Sequence, residues 1–511
     1  MYTLADLPRN GAALYGHRTA VVFEGTTMSY AELNRRVNRA AHALIGFGVR
    51  PGERIAILAD NSERYLEAYL AAAKLGVSVT PLNIRLSDRE LDHIVRDSEA
   101  VAIVAGDGYE KQALGLLSAP AVRLGLSLDH DIDGLHSYAE AVVHASSDEP
   151  DPERYQVSED DLAVLMYTGG TTGSPKGVML SHRNVMTAAI ATVMHCGFTK
   201  DDATCFVLPI FHVSWWPVIS LLLVGGKVVI VRKPDVPEIL RLIQDERCTH
   251  MNLVPTLYRL LLDAAPVGSH DLSSLRILTY AGSPFPVEVL RRAIDVFGPV
   301  FVQGYGATET AGGPITMFAA DDHHLTGPDA DLLASAGKPA VCSQVKIVDD
   351  GDERLGPGRI GEVCARGKHI MTGYWKNPEL TGKALQGGWY HTGDLGYLDE
   401  RGYLFLTDRK ADMIITGGEN VYPTEVENVL YTHPAVLECS VVGVPDQRWV
   451  EIVHAVVVPR ENVEVSAEEI IEHCHRSLAG YKCPKKVTFV SALPQTAIGK
   501  ISRKAIKDMV R

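Results

Sequence analysis

The eight cysteines, Cys196, Cys205, Cys248, Cys342, Cys364, Cys439, Cys474 and Cys483, include no CxxC pair and no metal-ligand spacing. Neither a disulfide framework nor a zinc site is therefore expected, and a reducing cytoplasm is the compartment that fits. No run of about 18 apolar residues occurs, which argues against a transmembrane segment. The opening MYTLADLPRNGAALYG has no basic stretch leading into an apolar one, so a secretory leader is not expected. Basic charge is in deficit: 49 Lys and Arg against 63 Asp and Glu leave a formal charge of −14. That balance excludes a general nucleic-acid binder and requires any phosphate site to be assembled locally. Internal repeats and low-complexity blocks are also missing, which removes solenoids and linker-like tails.

What remains is an ordinary globular balance, 46% hydrophobic and 22% charged over 511 residues. That length exceeds what one core usually supports, so a large domain with a smaller companion is expected. Ser29-Tyr30-Ala31-Glu32 reads as a capping box ahead of Leu33, Val37, Ala40 and Leu44, the periodicity of an amphipathic helix. Short apolar strands at 54–59, 77–81, 101–105, 228–231 and 275–280 alternate with helical segments such as 63–75 and 237–244. This pattern predicts an α/β fold with a substantially parallel sheet. From about Gln344 the texture changes to short strands and turns, with Asp399 to Gly402 supplying hairpin chemistry. An antiparallel region is expected there. The last hundred or so residues are long enough for a small domain, and the boundary is placed between 1–409 and 410–511, with Lys410 and Ala411 as the hinge.

The strongest local signal is YTGGTTGSPKGV, Tyr167 to Val178, directly after an apolar strand. Glycines let backbone N–H groups converge on phosphate oxygens, threonines add hydroxyl donors, and a lysine offsets charge. Thr168, Gly169, Gly170, Thr171, Thr172, Gly173 and Lys176 are the expected contacts. The spacing is not that of the GxxxxGK[ST] loop, because Ser174 and Pro175 separate Gly173 from Lys176.

Together with AYLAAAKLGVSVTPLN, QGYGATET (Gln303 to Thr310), YHTGD (Tyr390 to Asp394), DRKADMIITGGENVYPTEVE from Asp408 and PQTAIGKISRK ending at Lys504, this loop makes the chain resemble the acyl-adenylate-forming superfamily. That superfamily includes acyl-CoA synthetases, luciferases and peptide-synthetase adenylation domains, and the resemblance covers nearly the whole sequence. It implies a large N-terminal domain of α/β subdomains plus a distorted antiparallel β-barrel region, with a small mobile α+β C-terminal domain. It also implies ATP, Mg²⁺ and coenzyme A as the small molecules handled. Gly304, Tyr305 and Gly306 are assigned by the resemblance to the adenine pocket, Thr308 to the phosphates and Glu309 to Mg²⁺; a carboxylate is a suitable hard-oxygen ligand. Asp394 and Arg409 are assigned to the ribose, and Lys500 to the adenylation step. There it would neutralise charge as a carboxylate attacks the α-phosphate. For the second step the resemblance implies a rotated small domain that presents Gly417, Gly418 and Glu419 to the pantetheine, with Trp449, Tyr481 and Lys482 at the nucleotide end of coenzyme A. Ala411 stands where relatives carry Asp or Lys, and Lys410 or Asp412 is the expected source of the missing charge.

PIFHVSWW, Pro209 to Trp216, resembles the border of the acyl pocket, with His212 where amino-acid-activating relatives place an aspartate. An acid with an uncharged tail is therefore expected. His212 is read as an aromatic gate or a contact to the substrate carboxylate. Trp215 and Trp216 line the same segment, Gly306 is assigned to the same pocket, and Ala281, Gly282, Ser283, Gly312 and Gly313 are small residues expected to leave volume for nucleotide or acid. A fatty or other hydrophobic acid is the first expectation and an aryl acid of the benzoate or cinnamate type the second. Loading of a carrier protein and a catalytically silent nucleotide binder are the other readings. The expected partner is a small-molecule carboxylic acid and the expected location the cytoplasm; a homodimer is one assembly the sequence allows, without selecting it.

Overall fold

Apolar strands alternating with amphipathic helices must bury both sheet faces, and the computed structural model shows how this chain does so. It describes residues 3–168, 175–263, 270–282, 285–409, 412–416, 419–446, 448–461, 463–495 and 501–510. Two large mixed sheets form the N-terminal part. The first runs, in spatial order, through Gly373–Tyr374, Lys176–Ser181, Leu162–Thr168, Ser78–Pro81, Arg54–Leu58, Ala102–Ala105, Leu124–Ser127 and His136–Ser137. Its centre is parallel, with Ile55 opposite Val79 on one side and Ala102 on the other. The second places Phe301–Tyr305, Ile277–Ala281, His250–Leu253, Ala203–Phe206, Lys227–Ile230 and Thr19–Phe23 side by side in parallel. Antiparallel strands close both of its edges. Central strands such as Ser78–Pro81 and Ala102–Ala105 are buried throughout, as expected where helices cover both faces of a parallel sheet.

The helices begin where their caps dictate. Ser29 accepts from the Glu32 N–H at 3.2 Å and opens the helix Tyr30–Gly46. The Glu32 carboxylate turns instead to Arg35, 3.0 Å away, so half of the expected box forms. Ser62 accepts from the Tyr65 N–H and opens Glu63–Lys74, a helix buried along nearly its whole length.

Beyond Gln344 the strands Gln344–Val348, Gly361–Arg366, Tyr390–Leu398 and Leu404–Arg409 form an antiparallel sheet, distorted by register shifts near Cys364 and Gly396. Asp399 and Gly402 close the final hairpin, as the sequence predicts. Sheet membership changes between Arg409 and Ile414. From Ile414–Thr416 onward the strands belong to a separate sheet with Val450–Pro459, Val436–Asp446 and Lys486–Phe489, packed against the helices Pro423–Tyr431 and Ala467–His475.

Candidate active site

The hairpin formed by Leu162–Thr168 and Lys176–Ser181 brackets the glycine-rich loop, with Thr168 opposite Lys176. Gly169, Gly170, Thr171, Thr172 and Gly173 lie outside the described residues, as do Ser283, Lys410, Ala411, Gly417, Gly418 and Lys500. The flanks of the loop are tied to the rest of the site by a short strap, 371–375. Its Tyr374 pairs in register with Val178, and the Trp375 N–H donates to the Gly177 carbonyl at 2.8 Å. At the other end the Met371 N–H donates to the Glu309 carbonyl at 2.7 Å.

This strap brings two functional groups to one place. The Tyr374 hydroxyl donates to Glu309 Oε1 at 2.8 Å, and Lys176 Nζ stands 5.3 Å from the centre of the Tyr374 ring. Burial, reinforced by the Glu309 carboxylate, pushes the Tyr374 phenol well above its ordinary pKa, so it remains a donor. A parallel pair forms beside it: the Tyr305 hydroxyl donates to Asp394 Oδ2 at 2.7 Å. Asp394 is also directly opposite Arg409 on the neighbouring strand. Tyr390, 5% exposed, lies within electrostatic reach of both pairs. Its phenol is raised first by burial and then by Glu309, Tyr374, Tyr305 and Asp394. Segments around residues 176, 309, 374 and 394 thus converge on one aromatic-lined patch. Glu309, Asp394, Thr308, Tyr305 and Lys176 are all partly open to solvent. Lys176, Tyr305, Glu309 and Asp394, named from the sequence, are brought together here, whereas Tyr374 and the closeness of Tyr390 to both pairs were not read from it. Tyr390 stands within a recognised motif, whereas Tyr374 carries no spacing signal and is placed only by strand pairing.

The 304–313 and 209–216 segments meet at Gly312. Thr310 Oγ1 donates to the Gly313 carbonyl at 2.7 Å, folding the 306–313 loop on itself. A methyl group added at Gly306 would lie 2.4 Å from the Gly313 carbonyl oxygen. At Gly312, where φ is +67°, it would lie 2.6 Å from the Val213 carbonyl oxygen, and at Gly313 2.5 Å from Ala188 Cβ. All three glycines permit close packing of protein on protein, which for Gly312 and Gly313 corrects the expectation that they leave open volume. Gly304 is less confined, with Met317 Sδ at 3.5 Å, and Gly282, at φ +86°, has the left-handed backbone that favours glycine. Ala281 ends its strand beside Gly304. Trp215 is buried against Tyr69, ring centres 4.2 Å apart, Trp216 is buried beside Gly312, and His212 is partly exposed.

The C-terminal candidates are less closely gathered. Trp449 is 39% and Tyr481 40% exposed, and Glu419 is exposed in a short hairpin. Val450, next to Trp449, pairs with Thr416 beside that hairpin. Lys482 is held by Glu425 at 2.6 Å, so to meet a phosphate it would have to exchange partners. Asp412 pairs with Arg503 at 3.5 Å.

Comparison with known proteins agrees with this geometry. The AMP-binding enzyme family matches residues 9–375, and its C-terminal domain matches residues 425–500. A feruloyl-CoA synthase from an Amycolatopsis species is 38% identical over 506 residues, covering 99% of this chain and 98% of the relative. A fatty acid–[acyl-carrier-protein] ligase, ScoC, from Streptomyces coeruleorubidus is 36% identical over 96% of this chain and 93% of its own length. The o-succinylbenzoate CoA synthetase of Bacillus subtilis, solved with an acyl-adenylate intermediate, superposes with a TM-score of 0.86 at 31% identity, covering 98% of both chains. The chain belongs to the AMP-binding enzyme family, within the acyl-adenylate-forming superfamily. It is an ATP-using, adenylating acid–thiol ligase, and no helix among its described residues is long and apolar enough to cross a membrane.

Proposed function

We propose that this enzyme activates a hydrophobic carboxylic acid bearing an aromatic ring, releasing pyrophosphate, and transfers the acyl group to coenzyme A with release of AMP, in the cytoplasm. The observation that carries the reading is the convergence of Tyr374–Glu309 and Tyr305–Asp394 around buried Tyr390. In this reading the Tyr305 ring and Gly304 accept adenine, Asp394 and Arg409 the ribose hydroxyls, and Lys176 with Thr308 the phosphates. Glu309 has one carboxylate oxygen engaged by Tyr374. A carboxylate offers several further lone-pair directions, and a hard anionic oxygen suits Mg²⁺, so Glu309 would hold the ion that offsets phosphate charge. Lys500 would supply positive charge as the acid's carboxylate oxygen attacks the α-phosphorus and pyrophosphate leaves. The unit 410–511 then turns about 410–411, so that 417–419 face the thiol acceptor.

For the acid, rigid aromatic walls favour a flat ring over a flexible chain: Trp215 is fixed against Tyr69 and Trp216 beside Gly312. The feruloyl-CoA synthase relative supports this preference. The carrier-protein ligase supports a fatty acid delivered to a carrier as the second reading. Acid-dependent release of AMP and pyrophosphate is the direct test, run with benzoates, cinnamates and straight-chain acids against free coenzyme A and a phosphopantetheinylated carrier. Turnover confined to straight-chain acids with the carrier would overturn the proposal. Lys500→Ala should lower acyl-adenylate formation by several orders of magnitude while largely sparing thioester formation from supplied acyl-AMP. Equal loss of both would remove Lys500 from the first step.

A further inference from the structure

Asn61 is a polar residue placed where a polar residue is costly. It is 3% exposed, in the loop that leaves the carboxyl end of strand Arg54–Leu58 and enters the helix Glu63–Lys74. Its side chain makes none of its bonds within its own sheet unit. Asn61 Nδ2 donates to the Leu208 carbonyl at 3.0 Å and to the Val231 carbonyl at 3.1 Å, while Oδ1 accepts from the Ile210 N–H at 2.8 Å. Leu208 and Val231 follow Ala203–Phe206 and Lys227–Ile230, neighbouring parallel strands of the other sheet. One carboxamide therefore bridges the carboxyl ends of strands in both large sheets, the region where open α/β sheets bind ligands.

The backbone it holds is the start of the segment that carries His212. The far end of that segment is gripped by the same helix, through Tyr69 against Trp215 at 4.2 Å. Its outer side abuts the glutamate loop, since Val213 and Trp216 close on Gly312, three residues beyond Glu309. Helix and loop thus clamp 208–216 from two sides, and Asn61 sets where the clamped strip begins.

We propose that Asn61 is a positioning residue for the organic acid: by fixing the path of 208–216 it sets acid affinity and acid selectivity while leaving nucleotide binding alone. The inference rests on the reading of 209–216 as the acid pocket. Asn61→Asp is the informative variant, because it keeps the acceptor for Ile210 but turns an oxygen toward two carbonyl oxygens, forcing the backbone to part. Asn61→Gln keeps the carboxamide on a longer stem and carries the test if the aspartate variant does not fold. Steady-state kinetics with a cinnamate and a straight-chain acid, at matched folded fraction from thermal melts, should show the acid KM raised at least tenfold. The ratio of kcat/KM between the two acids should change at least fivefold, with the ATP KM within twofold of wild type. A purely structural asparagine would lower kcat and melting temperature without moving the acid KM or that ratio, and this result would overturn the proposal. So would equal rises in acid and ATP KM. A wild-type enzyme whose AMP release ignores the acid would instead defeat the functional reading on which the inference stands, a result visible before any variant is made.

Discussion

Arg503→Met tests how the C-terminal unit is held together and to its neighbour. The guanidinium, 19% exposed, lies 2.6 Å from Asp408 and 2.8 Å from Glu427, and donates to Thr424 Oγ1 at 3.3 Å. Asp408, on the last strand before residue 410, also accepts from the Thr424 N–H at 2.9 Å. It thereby caps a helix on the other side of that point. The methionine fills much of the arginine stem's volume, so the loss is electrostatic rather than a cavity. Breaking a buried charge network by removing one partner costs about 3–5 kcal/mol, chiefly because the remaining charges stay desolvated. Partial exposure of Arg503 places the expectation at the lower end, about 3 kcal/mol. Burial already raises the pKa of Glu427 against the pull of Arg503. Without the arginine that carboxyl should stay protonated to higher pH, so the deficit should be larger at pH 8 than at pH 5. Trp449 is the sole tryptophan beyond residue 410, and the difference between the urea-unfolding fluorescence of proteins with and without Trp449→Phe reports on this unit. A triple variant that also carries Asp408→Asn and Glu427→Gln should recover much of the loss. If Arg503→Met changes stability by less than about 0.5 kcal/mol, within the range of ordinary surface substitutions, or if the triple variant is no better than the single one, the buried-network argument fails.

Tyr374→Phe removes the hydroxyl that orients Glu309 at 2.8 Å; it should cost about 1 kcal/mol of stability and slow ATP–pyrophosphate exchange, with a higher Mg²⁺ requirement than wild type. An unchanged Mg²⁺ dependence would separate Tyr374 from the metal. Arg259 of helix Pro255–Asp263 pairs with Glu438 of strand Val436–Asp446, joining the segments on either side of 410–411. Glu438→Gln should shift the ratio of the two half-reactions by roughly tenfold, equivalent to about 1.4 kcal/mol, and the exchange of charges, Arg259→Glu with Glu438→Arg, should restore it. Burial depresses His182 and His369 to about 4 and His250 to about 3. An unfolded chain binds protons near pH 6.5 that these imidazoles refuse when folded, so they contribute stability above that pH and lose it as pH falls toward 4. Melting temperature should drop steadily across this window. His250→Gln should flatten the drop, and an equally steep drop in that variant would refute the role of His250.

The parts legible in the sequence are those where chemistry and local order coincide. Glu309, Asp394 and Lys176 stand inside short motifs whose residue types suit ATP chemistry, and strands such as Arg54–Leu58 are written in apolar runs bounded by turns. Even there, the functional meaning came from the order of several motifs along the chain, since a glycine-rich turn with a glutamate has bland explanations by itself. Tyr374 and Asn61 were illegible for a different reason. Each acts across more than sixty residues, with |i−j| of 65 for Tyr374 to Glu309 and 149 for Asn61 to Ile210, and neither partner's sequence predicts the other. Gly312 and Gly313 were misjudged because smallness has two physical uses. A missing side chain can leave room for a ligand or let two backbones approach, and only the contacts to Val213 and Ala188 decide between them. The same distinction bears on specificity. If the glycines close the wall instead of opening it, the shape of the acid site is set by how firmly the strip 208–216 is pressed against the 306–313 loop. Selectivity would then be controlled from the remote side of that strip, by Asn61 and Tyr69, as much as by the residues that touch the acid.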